Sequence, residues 1–428
     1  MSPNMNHETS PALVPKLRFP EFRAAEPWRE ITIASILKVR DTRRVPSAEA
    51  PLFSLTIENG ITKKSDRYDR EFLVRDAGNK TYKLVEPSDI VYNPSNLRWG
   101  AISYSQLSHP VVVSPIYEVL SLVNDSEVFC FVATSVMRDA QIRRCITKAQ
   151  GTLVERIAVK IDDFLSTNLP VPPGRPEQQR IADCLGSLDE LVAAQARKVE
   201  ALKAHKKGLM QQLFPQEGET QPRLRFPEFQ YAGEWHEAKL DDVALFQDGF
   251  AFKSTDFIGA QPGATQVVRI TDINNKNANE EKVYVPTFIL EDNKLQRHLV
   301  TQGDLLLSLT GAAGFNFFFW NAESAVLNQR TARVVQKNPG TALLKILEPL
   351  IHDKINARGE GQNNNLSKEF LSAIVLRVPK AAEQQRIADC LTSLDDLITA
   401  ESTKLSALKT HKKGLMQQLF PAPAEVEA

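Results

Sequence analysis

One 39-residue segment is written twice in this chain, and it limits the possible folds more than any other feature. Residues 177–215 read EQQRIADCLGSLDELVAAQARKVEALKAHKKGLMQQLFP, and residues 383–421 repeat them with ten differences. A second pair of motifs, KLRFPEF at 16–22 and RLRFPEF at 223–229, is offset by 207 positions. Solenoid units have periods of about 20 to 50 residues, so this period indicates duplication of a whole domain with its connector.

The duplicated segment places apolar residues at alternating spacings of three and four, which predicts a long helix with a heptad seam in each copy. At 1.5 Å per residue we expect each helix to be about 50 Å long. Parallel pairing of the two copies would set Lys206 against Lys412, whereas antiparallel pairing lays the lysine stems along leucines, so antiparallel pairing is favoured. Gly208 and Gly414 leave open a kink or an early helix end. The seam residues, which we expect to pair the helices and dock partners, are Ile181, Leu185, Leu188, Val192, Val199, Leu202, Leu209, Leu213, Ile387, Leu391, Leu394, Ile398, Leu405, Leu408, Leu415 and Leu419.

The predicted fold class is α+β. Two mixed α+β domains are separated by two long helices that form an antiparallel coiled coil, in a pseudo-twofold circular arrangement. The predicted parts are an N-terminal segment (1–27) packing near the C-terminal helix, a first domain (28–175), a first helix (176–215), a linker (216–234), a second domain (235–381), a second helix (382–421) and a tail (422–428).

The two domains differ almost everywhere, although they share a frame. PSDIVYNPSNLRWG, from Pro87, matches QGDLLLSLTGAAGF, from Gln302, as an acidic turn, a short apolar strand and a polar loop. Tyr92 opens YNPSN, which is weakly similar to the base-flipping motif of amino-methyltransferases. Ser95 stands in place of the second proline of that motif and no glycine-rich cofactor loop precedes it, so a catalytic reading is disfavoured.

Catalytic and metal-binding signatures are missing from the sequence. It contains no phosphate-binding GxxxxGK[ST] loop, no HExxH and no GxSxG. The four cysteines include no CxxC pair with zinc-ligand spacing. We therefore expect a non-catalytic chain with no metal or cofactor of its own. The polar start and the lack of a long apolar run predict a cytoplasmic protein.

The variable domains carry side chains suited to reading DNA. Arg, Asn and Gln present paired hydrogen-bonding groups to base edges, and Lys and Arg hold phosphates. Lys+Arg equals Asp+Glu at 52 each, so DNA affinity must be local or shared with a basic partner. Solvated polar loops are the alternative for any single residue. The candidate DNA-binding residues are Lys63, Lys64, Arg67, Tyr68, Arg98, Trp99, Asn274, Asn275, Lys276, Arg358, Gln362, Asn363 and Asn364.

The whole arrangement resembles the specificity subunit of type I restriction-modification systems. Two unlike domains each open at a tryptophan box, at Trp28 and Trp235, and each leads into EQQRIADCL and a heptad helix. The EQQRIA-leucine blocks at Glu177 and Glu383 and the GDLLLS strand at Gly303 are its most specific parts. Ser88 departs from the glycine that this family usually places before the acid.

The resemblance implies a function. The two domains would be target recognition domains, each reading one half of a bipartite site in double-stranded DNA. The helices would hold them apart and dock two modification (methyltransferase) subunits, with restriction (translocase/nuclease) subunits added outside. S-adenosylmethionine would be bound by the modification subunits, and half-site centres would lie about one to one and a half turns apart.

Two other classes of function stay open at this level. The chain could be a coiled-coil scaffold whose outer domains bind proteins or peptides. It could also be a self-contained methyltransferase, although that needs a cofactor domain of some 200 residues, for which the repeat leaves no room.

Overall fold

A computed structural model provides the structure of this chain. It describes residues 13–63, 80–149, 158–216, 218–274, 282–291, 293–310, 315–338, 342–356 and 366–421. The chain divides into two compact units, which we call the first unit (1–195 and 404–428) and the second unit (196–403). In the described part of the chain, no helix combines the length and the apolar character that crossing a bilayer requires.

Short apolar runs of the first unit form strands, and its amphipathic segments form helices. The strands are β1 (Arg29–Thr32), β2 (Leu37–Val39), β3 (Arg43–Arg44), β4 (Phe53–Thr56), β5 (Gly60–Lys63), β6 (Tyr82–Val85), β7 (Ile90–Tyr92), β8 (Ile102–Tyr104), β9 (Val111–Val113), β10 (Glu118–Leu122) and β11 (Asn168–Val171). The helices are α1 (Phe129–Val136), α2 (Asp139–Lys148), α3 (Ile161–Leu165) and α4 (Arg175–Leu213), of which α4 continues into the second unit.

The second unit begins again with a strand. Its strands are β12 (His236–Lys239), β13 (Ala244–Asp248), β14 (Ala264–Val268), β15 (Val283–Pro286), β16 (Leu299–Val300), β17 (Leu305–Ser308), β18 (Phe317–Phe319), β19 (Ala325–Leu327), β20 (Thr331–Gln336) and β21 (Val375–Val378). Its helices are α5 (Leu240–Val243), α6 (Ile270–Asn274), α7 (Asn293–Gln296), α8 (Leu343–Asn356), α9 (Lys368–Ala373) and α10 (Ala381–Leu419), of which α10 continues into the first unit.

The two units share one sheet topology. In the first unit an antiparallel sheet has the order β2-β10-β7-β8, and in the second unit the equivalent sheet has the order β13-β20-β17-β18. The opening strand of each unit pairs with the strand just before its long helix, as β1 with β11 and β12 with β21. The frame predicted from the matching motifs is therefore present in both units. Their remaining sheets differ: the first unit has β3-β6-β9 and β4-β5, and the second has β15-β14-β19-β16.

The turn before β7 and β17 explains why the acidic motif recurs. Asp89 accepts a hydrogen bond from the backbone N–H of Glu86 at 2.8 Å, and Asp304 accepts one from Thr301 at 2.7 Å. Gly303 has φ +93° and Ser88 has φ +67°, both in the left-handed region. Serine thus keeps the shape of the turn that glycine adopts without strain in the second unit.

The heptad seam of the long helices is the side that they bury. Every predicted seam position of α4 and α10 is buried or half-buried. Ile181, Leu185, Val199 and Leu213 are among the most enclosed in α4, each at most 3% exposed. Helix α4 continues through Gly208 to Leu213, so this glycine does not end it. The observed bounds lie within two residues of the predicted 176–215, and Gly414 is likewise internal to α10.

The two helices run antiparallel in each unit. In the second unit Lys198 Nζ lies 2.5 Å from Glu401 Oε1, and Lys206 Nζ lies 2.5 Å from Asp395 Oδ1. The ion pair nearer the end of α4 thus involves the residue nearer the start of α10, as antiparallel packing requires. In the first unit Lys412 forms an ion pair with Asp189, and the end of α10 joins the core around the start of α4. The predicted antiparallel coiled coil is confirmed by these contacts.

Candidate functional site

A buried ion pair joins the first LRFPEF motif (17–22) to the first turn of α4. Arg18 Nε and Nη2 donate to Glu177 Oε1 and Oε2 at 2.8 and 2.7 Å. The indole Nε1 of Trp28 donates to the same Oε1 at 3.2 Å. The side chains of Arg18 and Glu177 are only 6% and 3% exposed, and two parallel hydrogen bonds satisfy both charges. Hydrogen bonding to Glu177 raises the pKa of the Arg18 guanidinium above its ordinary value.

The second unit repeats this cluster with its own LRFPEF motif (224–229). Arg225 Nε and Nη2 donate to the two carboxylate oxygens of Glu383, both at 2.7 Å. Trp235 Nε1 donates to Glu383 Oε1 at 3.3 Å. Each glutamate lies in the first turn of its helix, where the helix dipole favours a negative charge.

A second contact fixes the same motif on the outer side of the helix. Arg180 Nε lies 3.4 Å from Glu21 Oε1, and its guanidinium lies 5.2 Å from the ring of Phe19. In the second unit Arg386 Nε lies 3.0 Å from Glu228 Oε1. The motif therefore contacts both the buried and the exposed side of the start of the helix.

The end of the opposite helix completes each cluster. In the second unit the N–H of Leu224 donates at 2.9 Å to the carbonyl oxygen of Gln212, the penultimate residue of α4. In the first unit the N–H of Leu17 donates to Gln418 O, also at 2.9 Å, although these residues stand near opposite ends of the sequence. Leu17, in the described part of the N-terminal segment, therefore contacts the end of α10 within the first unit.

The clusters join motifs that the sequence presents separately. The repeat marked LRFPEF, the tryptophan box and EQQR as related, but their meeting around one glutamate was not predicted. The usable signal was the nearly equal offset of these three motifs, which is 207 residues for LRFPEF and the tryptophan box and 206 residues for EQQR. A buried arginine needs a buried acid, and Glu177 is an acid that recurs with it.

Most of the candidate DNA-binding residues lie outside the described residues. These are Lys64, Arg67, Tyr68, Asn275, Lys276, Arg358, Gln362, Asn363 and Asn364, and for Asn274 only the backbone, at the end of α6, is described. Lys63 is exposed at the end of β5. Arg98 and Trp99 lie together in a short 3₁₀ helix, with the guanidinium 5.0 Å from the indole ring. Their contact with DNA stays a prediction.

The YNPSN motif is built into the core of the first unit. Tyr92 is fully buried, stacks on Phe164 with ring centroids 4.7 Å apart, and donates its hydroxyl hydrogen to Val159 O at 3.3 Å. Burial raises the pKa of this phenol far above its ordinary value. The ring is therefore occupied in packing and does not face a cleft where an extruded base could stack.

The ends of the long helices carry exposed residues that are identical in the two copies. All ten differences fall between 186 and 204 and their counterparts, so both ends of the segment are unchanged. Packing explains the identity of the seam but not that of solvent-exposed positions. Exposed identical residues toward the helix ends include Gln179, Asp183, Ser187, Lys203, His205, Lys207 and Gln211 in α4, and Gln385, Asp389, Ser393, Lys409, His411, Lys413 and Gln417 in α10.

Antiparallel pairing combines these residues into one surface in each unit. In the first unit the start of α4 lies beside the end of α10, and in the second unit the start of α10 lies beside the end of α4. We call these two surfaces the helix-end surfaces. The two helix-end surfaces carry the same exposed side chains. Across the described ranges, no group of His, Cys, Asp or Glu side chains could hold a metal ion.

Comparison with known proteins finds a family match over part of the chain. Residues 232–410 match the family model described as the type I restriction modification DNA specificity domain. The MjaVIII specificity subunit of Methanocaldococcus jannaschii is 24% identical over 294 residues, which is 66% of this chain and 67% of that protein. The EcoBI specificity subunit of Escherichia coli is 31% identical over 173 residues, which is 40% of this chain but only 34% of that protein.

Solved structures share the fold over nearly the whole chain. The type I restriction-modification S subunit from M. genitalium matches 96% of this chain and 100% of that chain, with a TM-score of 0.58 at 15% identity. A second chain, from a structure on complex assembly and conformational transition of the type I R-M system, matches 93% of this chain and 98% of that one, with a TM-score of 0.53 at 16% identity. The chain therefore has the fold of these S subunits, and its residues 232–410 match the type I restriction modification DNA specificity domain.

Proposed function

We propose that each sheet-rich domain of this chain reads one half of a bipartite site in duplex DNA, while the helix-end surfaces dock two identical modification subunits. One observation carries the proposal: the domains share a frame but differ in sequence, whereas the exposed helix ends are identical in both copies. Two domains that differ in sequence suit a DNA site with two different halves. Two identical helix-end surfaces suit two copies of one partner.

The chain's own side chains would supply binding rather than chemistry. Base edges are read by hydrogen bonds in the grooves, and phosphates are held by Lys and Arg. The modification subunits would carry S-adenosylmethionine and the residues that methylate adenine. The length of the long helices, about 58 Å for 39 residues at 1.5 Å each, would set the spacing between half-sites.

Mapping methylated bases in a host with and without this chain tests the reading role. We expect a split motif, two short specified halves around an unspecified gap, which disappears when the chain is deleted. A continuous motif would contradict the proposal. Retention of the purified complex on duplex DNA should weaken steeply with salt, whereas a protein-binding scaffold would show no retention.

Charges placed in the seam test the docking role. Leu188→Asp together with Leu394→Asp should separate the helices and release the modification subunits, as measured by size-exclusion chromatography of the co-expressed complex. Ala193→Asp with Thr399→Asp is the matched control, because both positions are exposed and neither belongs to the helix-end surfaces. Partner retention by the seam variant would exclude the helix pair as the docking element.

A further inference from the structure

A cleft of about 310 Å³ lies between the loop after β7 and helix α2 in the first unit. The loop side is formed by the short helix Leu97–Trp99 and by Gly100, whose φ of +85° ends that helix with a left-handed turn. The helix side is formed by one face of α2. The lining residues are Arg98, Trp99, Gly100, Asp139, Ile142, Arg143 and Ile146.

Trp99 presents a flat apolar surface to solvent at this cleft. Its side chain belongs to the most exposed large apolar groups of the described chain, with 63% of the residue accessible. The guanidinium of Arg98 lies over the indole at 5.0 Å from the ring centroid, which fixes one face of the ring. An aromatic ring left in water beside a cation is a ready surface for a planar or sugar-like ligand.

Arg143 supplies an uncommitted positive charge on the opposite wall. Its neighbours on α2 are engaged: Arg144 pairs with Glu30 at 2.9 Å, and Lys148 donates to Ser166 O at 2.6 Å. Within the described residues the guanidinium of Arg143 has no hydrogen-bond or ion-pair partner. Asp139, one turn earlier, is the acid that lines the cleft, so two guanidinium groups face one carboxylate. This charge balance favours an anionic ligand.

We propose that this cleft binds the sugar–phosphate backbone of duplex DNA, with Arg143 on a phosphate and Trp99 against a deoxyribose. The inference rests on the proposed DNA-reading function and deepens it. Base faces are covered by stacking in a duplex, whereas phosphates and sugars are exposed along both strands. Backbone contacts position a protein without reading sequence. The cleft therefore adds affinity and register to the first domain, and it contributes no base preference.

The test uses the full-length chain co-purified with its co-expressed modification subunits. Affinity is measured at several salt concentrations for a duplex that carries the methylated site and for a scrambled duplex. Arg143→Gln should weaken binding to both duplexes equally, by about tenfold, and should reduce the slope of log affinity against log salt by about 0.9. Trp99→Ala should weaken binding to both duplexes and leave the slope unchanged, and Trp99→Phe should recover part of the loss.

Control variants separate this site from a general charge effect. Lys38→Gln removes one positive charge from an exposed position on β2 that does not line the cleft, and it should change neither affinity nor slope. Arg143→Lys keeps the charge and should keep the slope.

Each contrary result has a definite meaning. Unchanged affinity of the Arg143 and Trp99 variants, with normal binding by the unaltered complex, would overturn the proposed backbone contact at the cleft. The proposed DNA-reading function would not be affected by that result. A loss confined to the methylated site would assign the cleft to base reading instead. Loss of the modification subunits would assign it to a protein interface. Failure of the unaltered complex to bind any duplex would overturn the proposed function itself.

Discussion

At the scale of single residues, Glu177 and Glu383 contribute strongly to stability, because each binds an arginine and a tryptophan in a buried site. A buried carboxylate that loses its charge leaves an uncompensated guanidinium behind, which costs about 3 to 5 kcal/mol. Both carboxylates are at most 3% exposed, so solvent screening does little to reduce this cost.

We expect Glu177→Gln to lower the free energy of unfolding of the first unit by about 3 kcal/mol, because Arg18 then stays buried without its counter-charge. Glu190→Gln is the matched control, since Glu190 is exposed on the same helix. Denaturant unfolding followed by circular dichroism measures the difference. Equal midpoints for the two variants would show that the buried pair contributes nothing.

Ser88 offers a second test at this scale. A left-handed conformation costs a non-glycine residue about 1 to 2 kcal/mol, and the flexibility of glycine in the unfolded chain offsets part of any gain. Ser88→Gly should therefore stabilise the chain by up to about 1 kcal/mol, and Gly303→Ser should destabilise it by about 1 kcal/mol. Thermal unfolding of the two variants measures both signs, and shifts of the same sign would contradict the assigned backbone geometry.

The long helices show at the scale of elements that apolar burial outweighs the charges along the seam. The Lys206–Asp395 pair joins two partly exposed side chains, so it contributes less than about 1 kcal/mol. Truncation of a buried leucine such as Leu185 costs about 2 to 5 kcal/mol. The ion pairs thus mark the antiparallel register, while the leucines hold the helices together.

Gly208 and Gly414 lie inside these helices with open space where a Cβ would project. Each Gly→Ala change should stabilise the chain by about 0.5 to 1 kcal/mol, because alanine restricts the unfolded chain and favours the helix. Gly249→Ala is the contrasting variant, since its Cβ would lie 1.9 Å from Asn328 O and must destabilise. Calorimetry of the three variants measures the differences. A loss of stability on Gly208→Ala would indicate a strained helix at that point.

At the scale of the whole molecule, the two units differ in how the LRFPEF motif is connected to the helix end that it contacts. The chain joins the two closely in sequence in the second unit but not in the first. In the second unit the LRFPEF motif follows α4 after a short connection, whereas in the first unit it comes from the N-terminal part and meets the end of α10. The contacts are otherwise the same in both units, including the buried glutamate.

Removal of residues 1–22 should loosen the first unit selectively. Loss of Arg18 removes the counter-charge of Glu177 in the first turn of α4, so amide hydrogen exchange there should rise on the order of 100-fold. Exchange at the start of α10, which keeps Arg225, should stay unchanged. Mass spectrometry of the two helix starts gives both readings from one sample. Equal protection in the truncated and full-length chains would contradict a stabilising role for the N-terminal LRFPEF motif in the first unit.

The sequence by itself determined the long helices, their seam and their antiparallel pairing, because heptad periodicity is a local pattern written into each copy. It also determined that the domains share a frame, since an acidic turn before an apolar strand is a short motif. Only the tertiary structure decided which distant residues meet, such as Arg18 with Glu177 or Arg98 and Trp99 with Arg143. These contacts depend on how strands and helices pack, and no single segment carries that information.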